Sequence, residues 1–189
     1  MLGGEKVNLR LAEKEDVPLL VRWFSDVRFA GDYEHFPVQV TKEQLEKQVV
    51  ERKLYEQEWV DFIIEKKNGT GIGWAAHYIS APNFGWTEIG YAIVPEERGK
   101  GYGTEAIQIL VDYLFLSRDI ARVQAVIDSE NLASRRALEK AGFKKEGTIR
   151  KALWNAKGKW ADGCLFAILR EEWKEPRVLA KTSRRGHDK

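Results

Sequence analysis

The chain has 189 residues, 43% of them hydrophobic and 32% charged, and its 31 Lys+Arg against 29 Asp+Glu give a formal net charge of +2. That length holds one sizeable core and leaves a second full domain cramped, and the balanced charge excludes the strongly one-signed profile that points to a nucleic-acid or membrane-surface partner, so neither is expected. The single cysteine, Cys164, excludes an internal disulfide and suits a reducing compartment; with no apolar h-region in the first residues and no run near the ~20 residues of a membrane span, the expected location is cytoplasmic.

Residues 7–11 (VNLRL) alternate as a half-buried strand does. Asp16, followed by Val17 and Pro18, predicts a helix start in which Asp16 caps free amides. Leu20, Trp23, Phe24 and Val27 then form one apolar helical stripe. A second helix is predicted from Thr41, where Gln44 completes a capping box and Leu45 and Val49 face the core. Strands are expected over 59–66 and 72–79 with Asn68-Gly69 as the hairpin turn between them. A third β-run covers 86–94, and Pro95 ends its pairing. A glycine-rich turn then leads into a helix over about 103–116. Next come a strand over 121–127, a helix over 131–141 closed by Gly142, and two β-runs over 143–151 and 160–169.

This order predicts an α/β fold: one mixed central sheet of about seven strands with helices on both faces. The unit from 86 to 127 is expected to be a parallel crossover. The domain is expected over 1–176, and the polar, basic segment 177–189 reads as a frayed, disordered tail.

The most informative stretch runs Ile93-Val94-Pro95-Glu96-Glu97-Arg98-Gly99-Lys100-Gly101-Tyr102-Gly103-Thr104. Glycines at 99, 101 and 103 let the backbone turn sharply and bring its N–H groups close to a ligand. Those amides precede a helix, whose N-terminus favours an anion, and Arg98 and Lys100 add positive charge. The stretch suits a phosphate or pyrophosphate. The spacing matches neither a Walker loop nor a dinucleotide fingerprint.

Arg98-x-x-Gly101-x-Gly103 between a strand and a helix resembles the acetyl-CoA pyrophosphate loop of the GNAT N-acetyltransferases. Asn131-x-x-Ser134 followed by Glu139-Lys140-Ala141-Gly142-Phe143 resembles that family's fourth-helix signature. Glu88-Ile89-Gly90-Tyr91, Gly103-Thr104-Glu105-Ala106 and Glu146-Gly147-x-x-Arg150 are similar to the RimJ/RimL-type branch. The resemblance covers roughly residues 6 to 173. It implies the GNAT acyl-CoA N-acyltransferase fold, acetyl-CoA as cosubstrate, no metal, and transfer of acetyl to a primary amine. The acceptor it implies is a protein N-terminal α-amine; a polyamine or aminoglycoside is the alternative within the class, and a non-catalytic acyl-CoA sensor the alternative outside it. The oligomeric state is left open between monomer and homodimer.

The resemblance also implies a division of labour. Ile93 and Val94 would splay from the neighbouring strand and pair by backbone with pantetheine, an amide there stabilising the thioester oxyanion. Amides from Gly99, Lys100, Gly101, Tyr102, Gly103 and Thr104 would take the pyrophosphate, and Asn131 would contact the pantetheine arm or cap its helix.

Amine attack on a thioester needs a base for the ammonium and an acid for the thiolate. Glu88 is the candidate base, because Gly90 and Ala92 share its strand face and leave room for substrate. His77 is a second candidate base, and Asp162 a candidate for orienting the acceptor. Many relatives carry an acidic Tyr where this sequence has Leu138; the resemblance to the RimJ/RimL-type branch implies instead that Ser134, one helical turn after Asn131, hydrogen-bonds the thiolate as the candidate acid, with solvent as the alternative. Cys164 reads as a buried strand residue. Asp26, Asp32 and Glu34, with Tyr33 and Phe36 beside them, mark the expected acceptor side.

Overall fold

A computed structural model describes residues 1–33, 41–50, 59–79 and 86–179. Eight strands form one sheet: β1 (Leu2–Gly3), β2 (Val7–Leu11), β3 (Trp59–Lys66), β4 (Gly71–Tyr78), β5 (Trp86–Ile93), β6 (Arg122–Asp128), β7 (Lys144–Trp154) and β8 (Trp160–Leu169). Their order is β1-β2-β3-β4-β5-β6-β8-β7. The strand beyond the seven expected is the two-residue β1, too short to carry a period. Only β5 and β6 are parallel, as a crossover through a helix requires.

Helices cover both faces. On β3, Phe62 and Ile64 join the cluster under α4 (Tyr102–Ser117) and α5 (Leu132–Lys140), whereas Ile63 between them packs under α1 (Val17–Phe24) and α3 (Lys42–Val50). All three residues are buried, as a central strand covered on both sides demands. Helix α4 is the most enclosed: Ala106, Ile107, Ile109, Leu110 and Leu114 are fully buried.

Most local signals act as the residues suggest. Thr41 N–H donates to Gln44 Oε1 at 2.9 Å and Gln44 N–H to Thr41 Oγ1 at 3.2 Å, so the capping box forms. At the hairpin, Gly69 takes φ +82° and its N–H donates to the Lys66 carbonyl. Gly142 takes φ +95° past the end of α5.

Two expectations need correction. Asp16 does not cap α1: its carboxylate accepts Arg10 at 2.7 and 2.9 Å and the Glu13 N–H at 2.8 Å. A bidentate guanidinium offers charge-assisted bonds that a cap amide cannot match. Val27 does not extend the apolar stripe either, since it is 61% exposed. Asp26, in extended conformation, accepts the Arg28 N–H and starts the short α2 (Val27–Ala30), which rotates Val27 outward. Phe29 takes the core position instead, stacked on Trp23 at 5.3 Å.

The expected boundary at 176 falls inside a packed segment: Val178 is 6% exposed, and the N–H groups of Arg177, Val178 and Leu179 donate to Asp112.

Burial pushes the Asp16 carboxyl up, but the Arg10 guanidinium and the Glu13 amide outweigh that and hold it below the usual 3.8. A carboxyl depressed on folding stabilises the fold above its unfolded value, and that contribution disappears as pH falls through the folded value. Asp16→Asn is therefore expected to be less stable than the parent at about pH 6, with the gap narrowing as pH falls below the ordinary carboxyl value of 3.8. Thermal melts across that range check it; a gap independent of pH contradicts it.

Candidate functional site

The site begins where β5 and β6 part. Their pairing runs only from Trp86↔Arg122 to Glu88↔Gln124, while β5 stays paired to β4 as far as Ile93. From Ile89 onward one edge of β5 is therefore open. Val94 N–H donates to the Ile72 carbonyl at 2.9 Å on the β4 side. By alternation, it is Tyr91 and Ile93 that turn their main-chain groups toward the opening. The expectation for Ile93 keeps its geometric basis; the Val94 amide is already used.

The loop after β5 shapes the opening's floor. Gly99 and Gly101 take φ +77° and +85°, a left-handed conformation that costs an L-residue roughly 1–2 kcal/mol. Gly101 stands at the N-cap of α4. The amides from Gly99 to Thr104 have no hydrogen-bond partner among the described residues. A row of free N–H groups at a helix N-terminus suits a pyrophosphate.

The loop's cations serve differently from expectation. Arg98 Nε donates to the Ile93 carbonyl at 2.9 Å, and its Nη2 to the Arg28 and Phe29 carbonyls at 3.1 and 2.7 Å. Arg98 thus clamps the loop onto α2 through Nε and Nη2 while still lining the trough. Lys100 pairs with Glu97 at 2.7 Å, and Lys66 shares that carboxylate at 2.8 Å.

An open trough of about 1000 Å³ runs along this edge, with Tyr91, Ile93, Gly103, Asn131, Ser134 and Arg136 among its walls. Ser134 Oγ lies 2.6 Å from the Tyr91 hydroxyl. Asn131 Oδ1 accepts the Ser134 N–H at 3.0 Å, so Asn131 does cap α5. That cap leaves its Nδ2 donor for the trough.

A strand edge that opens, a phosphate-suited loop beneath it and a helix bearing Asn131 and Ser134 form one arrangement, and comparison with known proteins bears on what it is. Residues 6–144 match the family model described as acetyltransferase (GNAT) domain. The chain belongs to the GNAT acetyltransferase family. It is an acetyl-CoA-dependent N-acetyltransferase. An uncharacterized N-acetyltransferase p20 from Bacillus licheniformis is 31% identical over 174 residues, 91% of this chain and 97% of that one. The aminoglycoside N(6')-acetyltransferase type 1 of Klebsiella pneumoniae is 30% identical over 161 residues, 78% of each chain. The spermidine N-acetyltransferase of Vibrio cholerae, solved with CoA and spermine, has the same fold, with TM-score 0.79 at 20% identity over 89% of this chain and 98% of that one. Structures of RimJ and RimL in complex with CoA also share the fold.

Glu88 of this acetyltransferase stands at the apex of the opening, half-buried. The Tyr78 hydroxyl donates to its Oε1 at 3.0 Å and Gln124 Nε2 to its Oε2 at 3.2 Å, so neutral groups hold it. The space expected over Gly90 is filled: a side chain there would meet the Trp74 ring at 3.2 Å and Tyr78 at 3.8 Å. Glu88 therefore faces β6 and the apex, with aromatic rings covering the strand beside it.

The other candidates lie elsewhere. His77 is fully buried among the rings of Phe62 and Tyr113, as a core wall residue. Asp162 Oδ1 accepts the Lys151 N–H at 2.8 Å and fixes an irregularity in β7, where Lys151 takes φ +49°. Cys164 and Leu138 are buried in the core. Glu34 and Phe36 lie outside the described residues.

The end of the trough on the side where the sequence leads one to expect the acceptor is lined by α2 and by the turn between β7 and β8. Asp26 binds Arg28 at 3.0 Å. Lys157 lies 3.8 Å from Asp32, 3.7 Å from Glu130 and 4.4 Å from the centre of the Tyr33 ring. Lys159 pairs with Glu130 at 3.0 Å. The turn is anchored from below, where fully buried Asn155 donates to Asp128 at 2.9 Å.

Sequence reasoning gave no role to Tyr91, Arg136 or Lys140. The last two lie one helical turn apart on α5 and both line the trough, a spacing readable once Asn131 marks the helix start.

Proposed function

We propose that this acetyltransferase modifies a protein or peptide α-amine. Charge pairing at the trough's acceptor end carries the reading. Asp32, which lines that end, and Asp26 and Glu130 on the flanking segments each already face a lysine or arginine. A polyamine or aminoglycoside carries several positive charges and calls for unpaired carboxylates. A peptide brings one amine and an uncharged backbone, for which an open, charge-balanced trough suffices.

Acetyl-CoA supplies the activated acyl group. The free amides of Gly99 to Thr104, with Arg136 and Lys140 alongside, suit its pyrophosphate, and the open β5 edge at Tyr91 and Ile93 suits its amide-bearing arm. Glu88 accepts the amine's proton through a water at the apex, oriented by Tyr78 and Gln124. Ser134 Oγ is the proton donor on the opposite wall. An alcohol is a poor acid, and the Tyr91 phenol, 2.6 Å away, supplies Ser134 with a proton in turn.

The 30% identity to an aminoglycoside acetyltransferase favours a small polycation as the second reading. Initial rates of thiol release with alanine- and serine-initiated peptides, spermidine and an aminoglycoside separate the two. The peptide is expected to lead in kcat/KM by about tenfold or more. A lead for spermidine or the aminoglycoside overturns the α-amine assignment.

A further inference from the structure

Beside the trough, and separated from it by the glycine-rich loop, lies a second cavity of about 540 Å³. Gly101, Thr104 and Lys140 line both. Its remaining walls come from Glu105 and Gln108 of α4 and from the two ends of the described chain, and two buried carboxylates of α4 put those ends there. Glu105 accepts the N–H groups of Glu5, Lys6 and Val7 at 2.9, 2.7 and 2.8 Å. Asp112, fully buried and seven residues on, accepts Arg177, Val178 and Leu179 N–H at 3.0, 2.7 and 3.1 Å and the Trp173 indole N–H at 2.9 Å. Seven residues are two helical turns, so one face of the helix that begins at the loop holds both ends.

The clips fix where two cations stand. Lys6 Nζ approaches Gly101 so closely that a Cβ there would meet it at 3.1 Å, and the Arg177 guanidinium lies against Gly142. With Lys140 they bring three positive side chains to the cavity, and none has an ion pair among the described residues. The negative groups lining it are Glu105, whose charge is spent on three amides, and the exposed Glu5 and Glu175.

We propose that this cavity binds the 3′-phosphate of CoA, with Lys6, Arg177 and Lys140 as its cations. The inference rests on the reading that the loop amides hold the pyrophosphate. A ligand anchored there has one arm in the trough and the other directed past Gly101 and Thr104 into the second cavity. On the adenosine side, the dianionic phosphate is the group that three unpaired cations select.

Titration calorimetry of the full chain with CoA and with 3′-dephospho-CoA tests it. The parent is expected to bind CoA about tenfold or more tightly than the dephospho form. The double variant Lys6→Met, Arg177→Met is expected to bring the two within about twofold, by weakening CoA while leaving dephospho-CoA unchanged. Unchanged dephospho-CoA binding also shows that the variant is folded. Equal affinity of the parent for both ligands overturns the site and leaves the acetyltransferase reading intact. Equal weakening of both ligands in the variant overturns it too, because the cations then act on the fold or on the shared part of the ligand. Binding of neither ligand by the parent overturns the pyrophosphate reading itself.

Discussion

Glu88→Gln is expected to lower kcat/KM at neutral pH by about 10²–10³-fold, within the range of a general base. The change keeps the shape of the side chain and removes the charged proton acceptor. Glu88 has no lysine or arginine partner among the described residues, so no buried cation is orphaned. It stands at the last paired position of β5 and β6, where the strands open and a water can reach both the carboxylate and an incoming amine. CoA affinity should change by less than about twofold, because the amides proposed to hold its pyrophosphate lie beyond Ile93. Steady-state rates over a pH series, with calorimetric CoA binding, check both parts. A loss shared between KM and CoA affinity, or an unchanged rate, removes Glu88 from the chemistry.

Asp112→Ala is expected to destabilise the fold by about 3–5 kcal/mol, because four N–H donors lose a fully buried carboxylate acceptor. For a chain of this size that corresponds to a fall in melting temperature of roughly 10 °C. Hydrogen exchange should accelerate first at Arg177, Val178 and Leu179, whose amides the carboxylate holds. A loss below about 1 kcal/mol would mean that water or another group satisfies these amides. The same variant frees Arg177, so the preference for CoA over its dephospho form should narrow as well.

How much of this was legible in the sequence depends on how local each signal is. The strands over 59–66 and 160–169 agree with the structure residue for residue, because a β-period bounded by turn residues is a property of neighbours. The Thr41–Gln44 box and the Asn68-Gly69 turn are local in the same way. The placement of β8 between β6 and β7 is not, since a hairpin reads the same whichever arm takes the edge. Asp16 offers a similar lesson: its context reads as a cap, and only the folded chain shows Arg10 of the preceding strand β2 turned onto it.

The site divides along the same line. The glycine spacing announces a phosphate-suited loop, and the structure supplies free amides there. Arg98 reads from the sequence as a ligand cation, and nothing near it in sequence shows that the carbonyls of Arg28 and Phe29, some 70 residues away, also hold it. Gly90 looks like open space until Trp74 covers it. Glu105 and Asp112 look like helix-surface charges, and nothing near them in sequence shows that they fasten both ends of the described chain.

In the reaction proposed above, the opening between β5 and β6 brings a neutral α-amine to the acetyl group of acetyl-CoA. Thiol release from acetyl-CoA, measured with a peptide bearing a free N-terminus and with the same peptide blocked there, tests it most directly. Release with the free peptide alone, with the acetyl group located on its α-nitrogen by fragmentation mass spectrometry, is the predicted result. Equal release with both peptides, or none with either, would contradict it.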